Sequence, residues 1–330
     1  MNLEKTYVDL GSLQLSNKIN YHSKITTIGS CFSDEIGSKF QNYGYGVLIN
    51  PFGTVFNPVS IQWLVEHALL QKEKPHFIEH DGYILAYECH STVHGESVEG
   101  FTQKLNEICK KFIEQIDSGT HLFITLGTAW VYEMLENKQV VSNCHKQPSA
   151  LFQKRLLSTK EIIDALNAVI DCLREKNTNL ELIFTVSPVR HKKDGLWENN
   201  VSKGRLTDAI YQLHKADHKI YYLPVFEMIN DELRDYQHFE EDLIHPNEKA
   251  VNYVWERIKP CLFDEVEIQW QNFKDEIMLG INHRPMFPKS NTYHKHLQHL
   301  LQKSELSIFC DRLQSEISTL KKKISDLNKS

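Results

Sequence analysis

Near the carboxyl end of the domain-like part of the chain stands Asp242-Leu243-Ile244-His245-Pro246. A histidine that moves protons needs a partner that fixes its tautomer and stabilises the imidazolium. An aspartate three residues earlier, in a tight turn, reaches one ring nitrogen. The other nitrogen is left to take a proton from a nucleophile. A surface loop with a helix cap would carry the same letters, so the pair gains weight from its place between the last strand-like run and the last amphipathic helix. The second constellation is Thr27-Ile28-Gly29-Ser30-Cys31-Phe32-Ser33. A nucleophile between a strand and a helix N-terminus is projected into the crevice beyond the strand. The helix dipole there favours negative charge, which predicts a lowered thiol pKa and help in holding an oxyanion. Cys31 takes that place, with Ser30 as its rival in a register shifted by one. The plain alternative is a buried cysteine acting as a small apolar residue.

Other polar residues carry weaker signals. His90, His94, His145 and His191 suggest a metal or anion site, but the chain has 17 histidines. No pair shows the helical i, i+4 placement of a zinc peptidase, so no metal and no cofactor is expected. Arg190, His191 and Lys146 suit an anionic or carbonyl part of a substrate, or surface pairing with the chain's acids. Trp130 and Tyr132 suit a pocket wall, or core.

These residues need elements to bring them together. A β-rich run at 24–28 reads as a buried strand, and apolar runs at 45–49, 121–126, 182–186 and 219–223 read as further strands. Between them lie amphipathic helices. One starts near Ser33, with Ile36 and Phe40 inward. A second follows the cap Asn57-Pro58, with Ile61, Leu64, Val65 and Leu69 on one face. A third carries Phe101, Leu105, Ile108, Phe112 and Ile116. A fourth follows the Ser158/Glu161 capping box, a fifth spans about 197–216, and the last carries Val251, Val254, Trp255 and Ile258. Strands alternating with helices imply an α/β flavodoxin-like doubly wound parallel sheet covered on both faces. The ligand crevice of such a sheet lies beyond the carboxyl ends of its strands, where 29–31, 127–128, 187–191 and 242–245 all fall. Residues 72–98 read as an inserted hairpin region, 132–142 as a small hairpin, and 1–22 as a wrap along the domain edge.

Leu306, Phe309, Leu313, Ile317, Leu320, Ile324 and Leu327 alternate three- and four-residue steps. This heptad-like seam predicts a tail helix that packs on its own chain or pairs with another copy as a homo-oligomer.

Composition sets outer bounds. The 330 residues carry a net charge of −6 and 41% apolar residues, ordinary for a globular protein with a core. No basic stripe is present, so nucleic acid is not an expected partner; the lysines at 321–323 read as a solvated helix face. The N-terminal residues do not have the pattern of a secretory signal, and no run approaches the ~20 apolar residues that span a bilayer. A cytoplasmic location without an integral membrane segment is the resulting expectation. Seven cysteines, irregularly spaced and without a CxxC pair, suggest neither disulfides nor zinc.

Gly29-Ser30-Cys31-Phe32 resembles the name-giving motif of the GSCFA family, a branch of the SGNH or GDSL hydrolases; Ser33 stands where that motif has alanine. The resemblance continues through Asn50-Pro51-Phe52-Gly53-Thr54, Leu126-Gly127-Thr128-Ala129-Trp130-Val131-Tyr132-Glu133 and Asn143-Cys144-His145-Lys146. It includes Ser187-Pro188-Val189-Arg190-His191, Asp231-Glu232-Leu233-Arg234-Asp235-Tyr236 and the final Asp242 to Pro246 segment, in collinear order over roughly residues 20–290. It implies that Cys31 replaces the family serine as nucleophile and that Gly53 supplies a main-chain oxyanion donor. The third SGNH block aligns with Gly127 and Thr128 but lacks its asparagine; Thr128 or Asn143 is the implied substitute. Asp242 and His245 match the last block fully.

The expected organisation is an SGNH-like domain over residues 1–265, with the insertion at 72–98, and a helical extension over 266–330. Two functions are open. One is a hydrolase or acyltransferase acting through an acyl-enzyme on an ester or thioester, with a small-molecule or carbohydrate substrate such as an O-acylated sugar or lipid. The other is an inactive scaffold that binds a glycan or small ligand.

Overall fold

The computed structural model describes residues 15–328. The runs rich in β-branched and apolar residues form the strands. β1 (Lys24–Gly29), β5 (His121–Leu126) and β9 (Glu181–Val186) are buried almost throughout, as central parallel strands covered on both faces must be. β2 (Gly46–Ile49) and β10 (Ile220–Leu223) form the edges. The order is β10-β9-β5-β1-β2, with every neighbouring pair parallel. This is a flavodoxin-like doubly wound parallel sheet. The chain reverses its direction of winding between β1 and β5, so the crevice opens beside Gly29 and Gly127.

Strand alternation sorts the core. Leu122, Ile124 and Leu126 of β5 and Leu182, Phe184 and Val186 of β9 face one side. There they meet α2 (Pro58–Leu70), α3 (Val98–Asp117), α4 (Thr159–Lys176) and α5 (Leu196–Ala216). Phe123 faces the other side, 5.3 Å from Phe40 of α1 (Cys31–Asn42). Phe40 in turn lies 5.1 Å from Trp255 of α7 (Glu248–Leu262). The expected caps are in place: Asn57 accepts from the Ser60 N–H, and Ser158 and Glu161 close a reciprocal capping box.

Two insertions decorate this frame. β3 (Phe77–His80) and β4 (Tyr83–Ala86) form a hairpin within 72–98. β6 (Trp130–Met134) pairs with β7 (Val140–Val141), as the expected hairpin at 132–142 implies, but also with β8 (Phe152–Leu156). β8 is hidden in the sequence by its polar Gln153, Lys154 and Arg155. Arg155 is matched there by carboxylates, with Nε 2.6 Å from Glu133 and Nη1 2.7 Å from Glu161. The polar stretch after β10 is likewise more ordered than its composition suggests. It begins with the helical turn α6 (Val225–Glu227) and continues in a wide turn, Met228–Glu232. Glu232 accepts from Tyr253 Oη at 2.6 Å and pairs with Arg257 at 2.9 Å, which fastens this stretch to α7.

Of the N-terminal wrap expected over 1–22, residues 1–14 lie outside the described residues. Leu15 and Ile19 are buried, and Ile19 N–H donates to the Leu262 carbonyl at 2.8 Å. The chain forms two compact units that divide between Leu262 and Phe263. The second contains α8 (Glu265–Asn282), α9 (Asn291–Glu305) and α10 (Gln314–Asn328), around Ile277, Ile281, Leu297, Leu300 and Leu320. The heptad-like seam is not one helix. α9 ends before Leu306, which is 78% exposed, and a short turn, Cys310–Leu313, precedes α10. Ser307 causes the break: its hydroxyl accepts from the Phe309 N–H at 3.1 Å and its carbonyl from the Cys310 N–H at 3.0 Å, in place of helical bonds. Leu313, Ile317 and Leu320 are buried within this unit. No helix among the described residues is long and apolar enough to cross a membrane.

Candidate active site

The first turn is built around Gly29, whose φ of +139° is a conformation that favours glycine. Its N–H donates to Asn50 Oδ1 at 2.8 Å, and the following Ser30 N–H donates to the Thr125 carbonyl at 3.1 Å. Ser30 is buried and is the N-cap of α1, its hydroxyl accepting from the Phe32 N–H at 3.3 Å. That cap starts the helix at Cys31, two residues before the expected Ser33. The serine hydroxyl therefore faces its own backbone, while Cys31 occupies the first helical position.

At the other end, Phe239 and Pro246 pair across the base of the loop, and the Glu240 N–H donates to the His245 carbonyl at 2.8 Å. Within the loop Asp242 does three things. Oδ1 accepts from the main-chain N–H groups of Ile244 at 2.8 Å and His245 at 3.0 Å, and Oδ2 lies 2.6 Å from His245 Nδ1. Leu243 takes a φ of 60° to close this turn. His245 Nε2 then lies 3.8 Å from Cys31 Sγ. Cysteine, imidazole and carboxylate thus stand in line, although Cys31 and His245 are far apart in sequence.

The charges of this line have definite directions. The hydrogen bond from the His245 side chain, followed by the two main-chain donors, holds the Asp242 carboxyl down at about 2. A carboxylate with a depressed folded value contributes stability above its unfolded value of about 3.9, and that contribution is lost as pH falls through about 2. A carbon-13 titration is expected to show the Asp242 carboxyl with a midpoint near 2, moving towards about 4 in His245→Ala. An ordinary midpoint in the wild type would contradict the pairing.

Cys31 runs against the sequence expectation. Its thiol is pushed up rather than down, first by burial and then by the nearby carboxylates of Asp34 and Glu35. Its own main-chain N–H and the ammonium of Lys203 work in the opposite direction but do not prevail. The helix N-terminus is real; burial outweighs it.

The donors implied for an oxyanion are largely committed elsewhere. Gly53, with φ +76°, donates its N–H to the Asn50 carbonyl at 2.8 Å. A Cβ at Gly53 would come within 2.5 Å of His90 Cβ, so this glycine admits the loop after β4. Gly127 donates its N–H to the Phe56 carbonyl at 2.8 Å. Thr128 Oγ1 lies 3.0 Å from Ser202 Oγ and accepts from the Trp130 N–H at 3.0 Å. The main-chain N–H of Cys31 is different: at the first position of α1 the helix offers it no acceptor one turn back.

Asn143 and His145 belong to the scaffold of the inserted strands. Asn143 Oδ1 accepts from the His145 N–H at 2.9 Å, and His145 Nε2 lies 2.8 Å from the Ala86 carbonyl. Burial pushes the His145 ring down, favouring its neutral form. Arg190 stacks its guanidinium 4.3 Å from the Phe239 ring centre and 5.4 Å from that of Tyr236. Its main-chain N–H reaches the Ile244 carbonyl at 3.5 Å, placing Arg190 against the loop that carries Asp242 and His245. His191 is held down at about 4 by burial and by Lys203, which favours its neutral form near pH 7. No group of three or more His, Cys, Asp or Glu side chains among the described residues is arranged to hold a metal.

Residues 24–258 match the GSCFA family. The chain belongs to the GSCFA family. No curated protein matches it. Among solved structures, the chain is similar to a protein from Streptococcus pneumonia provisionally named as a platelet activating factor. That pair has 9% identity and a TM-score of 0.37, covering 73% of this chain and 85% of that one. It is also similar to a carbohydrate esterase family 3 from Talaromyces cellulolyticus, at 8% identity and a TM-score of 0.34, covering 76% and 99% respectively.

In this GSCFA protein, α5 supplies residues that motif reading overlooked. Asn199 Oδ1 accepts from the His191 N–H at 3.0 Å, Ser202 Oγ accepts from the Ala129 N–H at 2.7 Å, and Lys203 reaches beneath both loops. All three are buried, on the same face as Leu206, Ile210 and Leu213. Polar residues continuing a buried helical stripe were the available signal. Asn50, which the sequence marks only through the family resemblance, ties Gly29 to Asp34 through Oδ1 and Nδ2, both bonds at 2.8 Å.

Proposed function

We propose that this chain is an ester hydrolase or acyltransferase that works through a thioester acyl-enzyme at Cys31. The alignment of Cys31 Sγ, His245 and Asp242, at 3.8 Å and 2.6 Å, carries the reading. His245 Nε2 takes the thiol proton as Sγ forms a bond to the substrate carbonyl carbon. Asp242 stabilises the resulting imidazolium, and the Cys31 N–H donates to the oxyanion. As the intermediate collapses, the ester C–O bond breaks and the leaving alcohol receives the proton from His245. Water or a sugar hydroxyl then attacks the thioester carbonyl as His245 Nε2 takes its proton; the C–S bond breaks and the sulfur of Cys31 recovers that proton, giving hydrolysis or transfer. An O-acylated carbohydrate or lipid is the proposed substrate class.

A ligand-binding protein on the same scaffold is the second reading. The raised Cys31 thiol and the committed Gly53 N–H favour it. Intact mass after exposure to activated acyl esters separates the two. The expected result is one acyl adduct on the wild type, lost in Cys31→Ala and retained in Ser30→Ala. Loss only in Ser30→Ala would transfer the nucleophile to serine, and no adduct in any protein would overturn the acyl-enzyme in favour of binding.

A further inference from the structure

Lys203 is fully buried, and no carboxylate forms an ion pair with it among the described residues. Its Nζ donates to the Gly127 carbonyl at 2.6 Å and to the Ser187 carbonyl at 2.7 Å. These carbonyls follow the carboxyl ends of β5, the neighbour of β1, and of β9, the next strand beyond it. The ammonium therefore clasps the two loops that face the Cys31 turn. The Phe226 ring, 5.9 Å from Nζ, closes one side. An ammonium removed from water without a negative partner is unfavourable unless a negative charge forms nearby. The proposed mechanism forms one, first on Cys31 sulfur and then on the carbonyl oxygen.

We propose that Lys203 is a positioning residue whose buried ammonium supplies the counter-charge for the anion formed at Cys31, while its hydrogen bonds to Gly127 and Ser187 hold that charge beneath the site. The proposal rests on Cys31 being the nucleophile, but its test reads the thiol directly and needs no acyl substrate. Charges from several elements face this sulfur. Asp34 and Glu35 of α1 oppose its ionisation, Lys203 of α5 favours it, and the His245 and Asp242 pair approaches from the final loop. The influence is mutual: burial lowers Lys203 to about 7, and negative charge on Cys31 raises it. The lysine and the thiol consequently titrate as a coupled pair.

The test is the pH profile of Cys31 alkylation by iodoacetamide, read at the Cys31 peptide by mass spectrometry, in wild type, Lys203→Met, Lys203→Gln and Lys203→Arg. With the ammonium removed, the profile is expected to move up by about one pH unit, making alkylation near pH 7 about tenfold slower. Lys203→Arg keeps a permanent charge and is expected to restore the rate and to remove the lysine inflection near pH 7. If Met and Gln variants fold, as judged by thermal melting, and leave the profile unchanged, the proposal is overturned. If neither folds, the wild-type profile decides: two coupled ionisations support the pairing, and a single one overturns it. Failure of the acyl-enzyme reading would instead appear as a missing acyl adduct, with the alkylation profiles still obeying the lysine.

Discussion

His245→Ala is expected to slow acylation of Cys31 near pH 7 by about 10²- to 10⁴-fold, the range for loss of a positioned general base. The thiol of Cys31 is pushed up by burial and by Asp34 and Glu35, so near neutrality it carries its proton. Attack on a carbonyl then needs an acceptor for that proton, and Nε2 of His245, 3.8 Å away, is the group in place. The defect should shrink as pH rises and hydroxide generates the thiolate. Rates of acyl-adduct formation across a pH series measure both features. The fold should be untouched, because the His245 and Asp242 side chains are close to half exposed and are joined chiefly within their own loop. A wild-type rate in His245→Ala, with Cys31 still acylated, would remove the imidazole from the mechanism.

The second large effect is structural. Gly29→Ala is expected to destabilise the protein by about 3 kcal/mol or more, from a strained backbone and an overpacked site together. A Cβ at Gly29 would lie 2.2 Å from the Thr125 carbonyl oxygen, a main-chain atom in the register partner of Gly29 on β5. The backbone cannot relax easily, since φ of +139° is held by the bond to Asn50 and by the neighbouring Ser30 bond to Thr125. A fall in Tm on the order of 10 °C follows for a unit of this size. Gly127→Ala is the internal comparison. Its added Cβ would meet the Phe56 side chain at 2.8 Å, without a left-handed φ, so part of the clash can be relieved by the ring. Equal melting temperatures for Gly29→Ala and wild type would show that the turn is not locked as described.

The sequence by itself determined what depends on neighbours along the chain. Five strands were legible because Ile, Val, Leu, Phe and Thr cluster in short runs, densest in the three central strands that a covered parallel sheet requires. Helix starts at Asn57 and Ser158 were legible because a cap is a bond between residues three apart. The Asp242 and His245 pairing was legible for the same reason: all its hydrogen bonds lie within four consecutive residues. Family membership followed from collinear motifs over most of the chain.

Tertiary structure decided the rest. Ser30 and Cys31 are adjacent and both nucleophilic in type; only the bond between β1 and β5 and the cap of α1 turn one inward to the backbone and the other to His245. The sign of the Cys31 shift was misread because a helix terminus is local, whereas burial is a sum over the segments that cover the thiol. The Gly53 N–H, expected as an oxyanion donor, instead meets the Asn50 carbonyl in a turn that spacing does not reveal. The tail seam has the right period for one helix, yet Ser307 breaks it and the unit buries its C-terminal part. Lys203, unremarkable among the lysines of the sequence, is distinguished only by folding, which removes it from water and gives it two carbonyls just past the ends of separate strands. Short-range bonds are written in consecutive residues; burial, and the charge balance it enforces, exists only once distant segments meet.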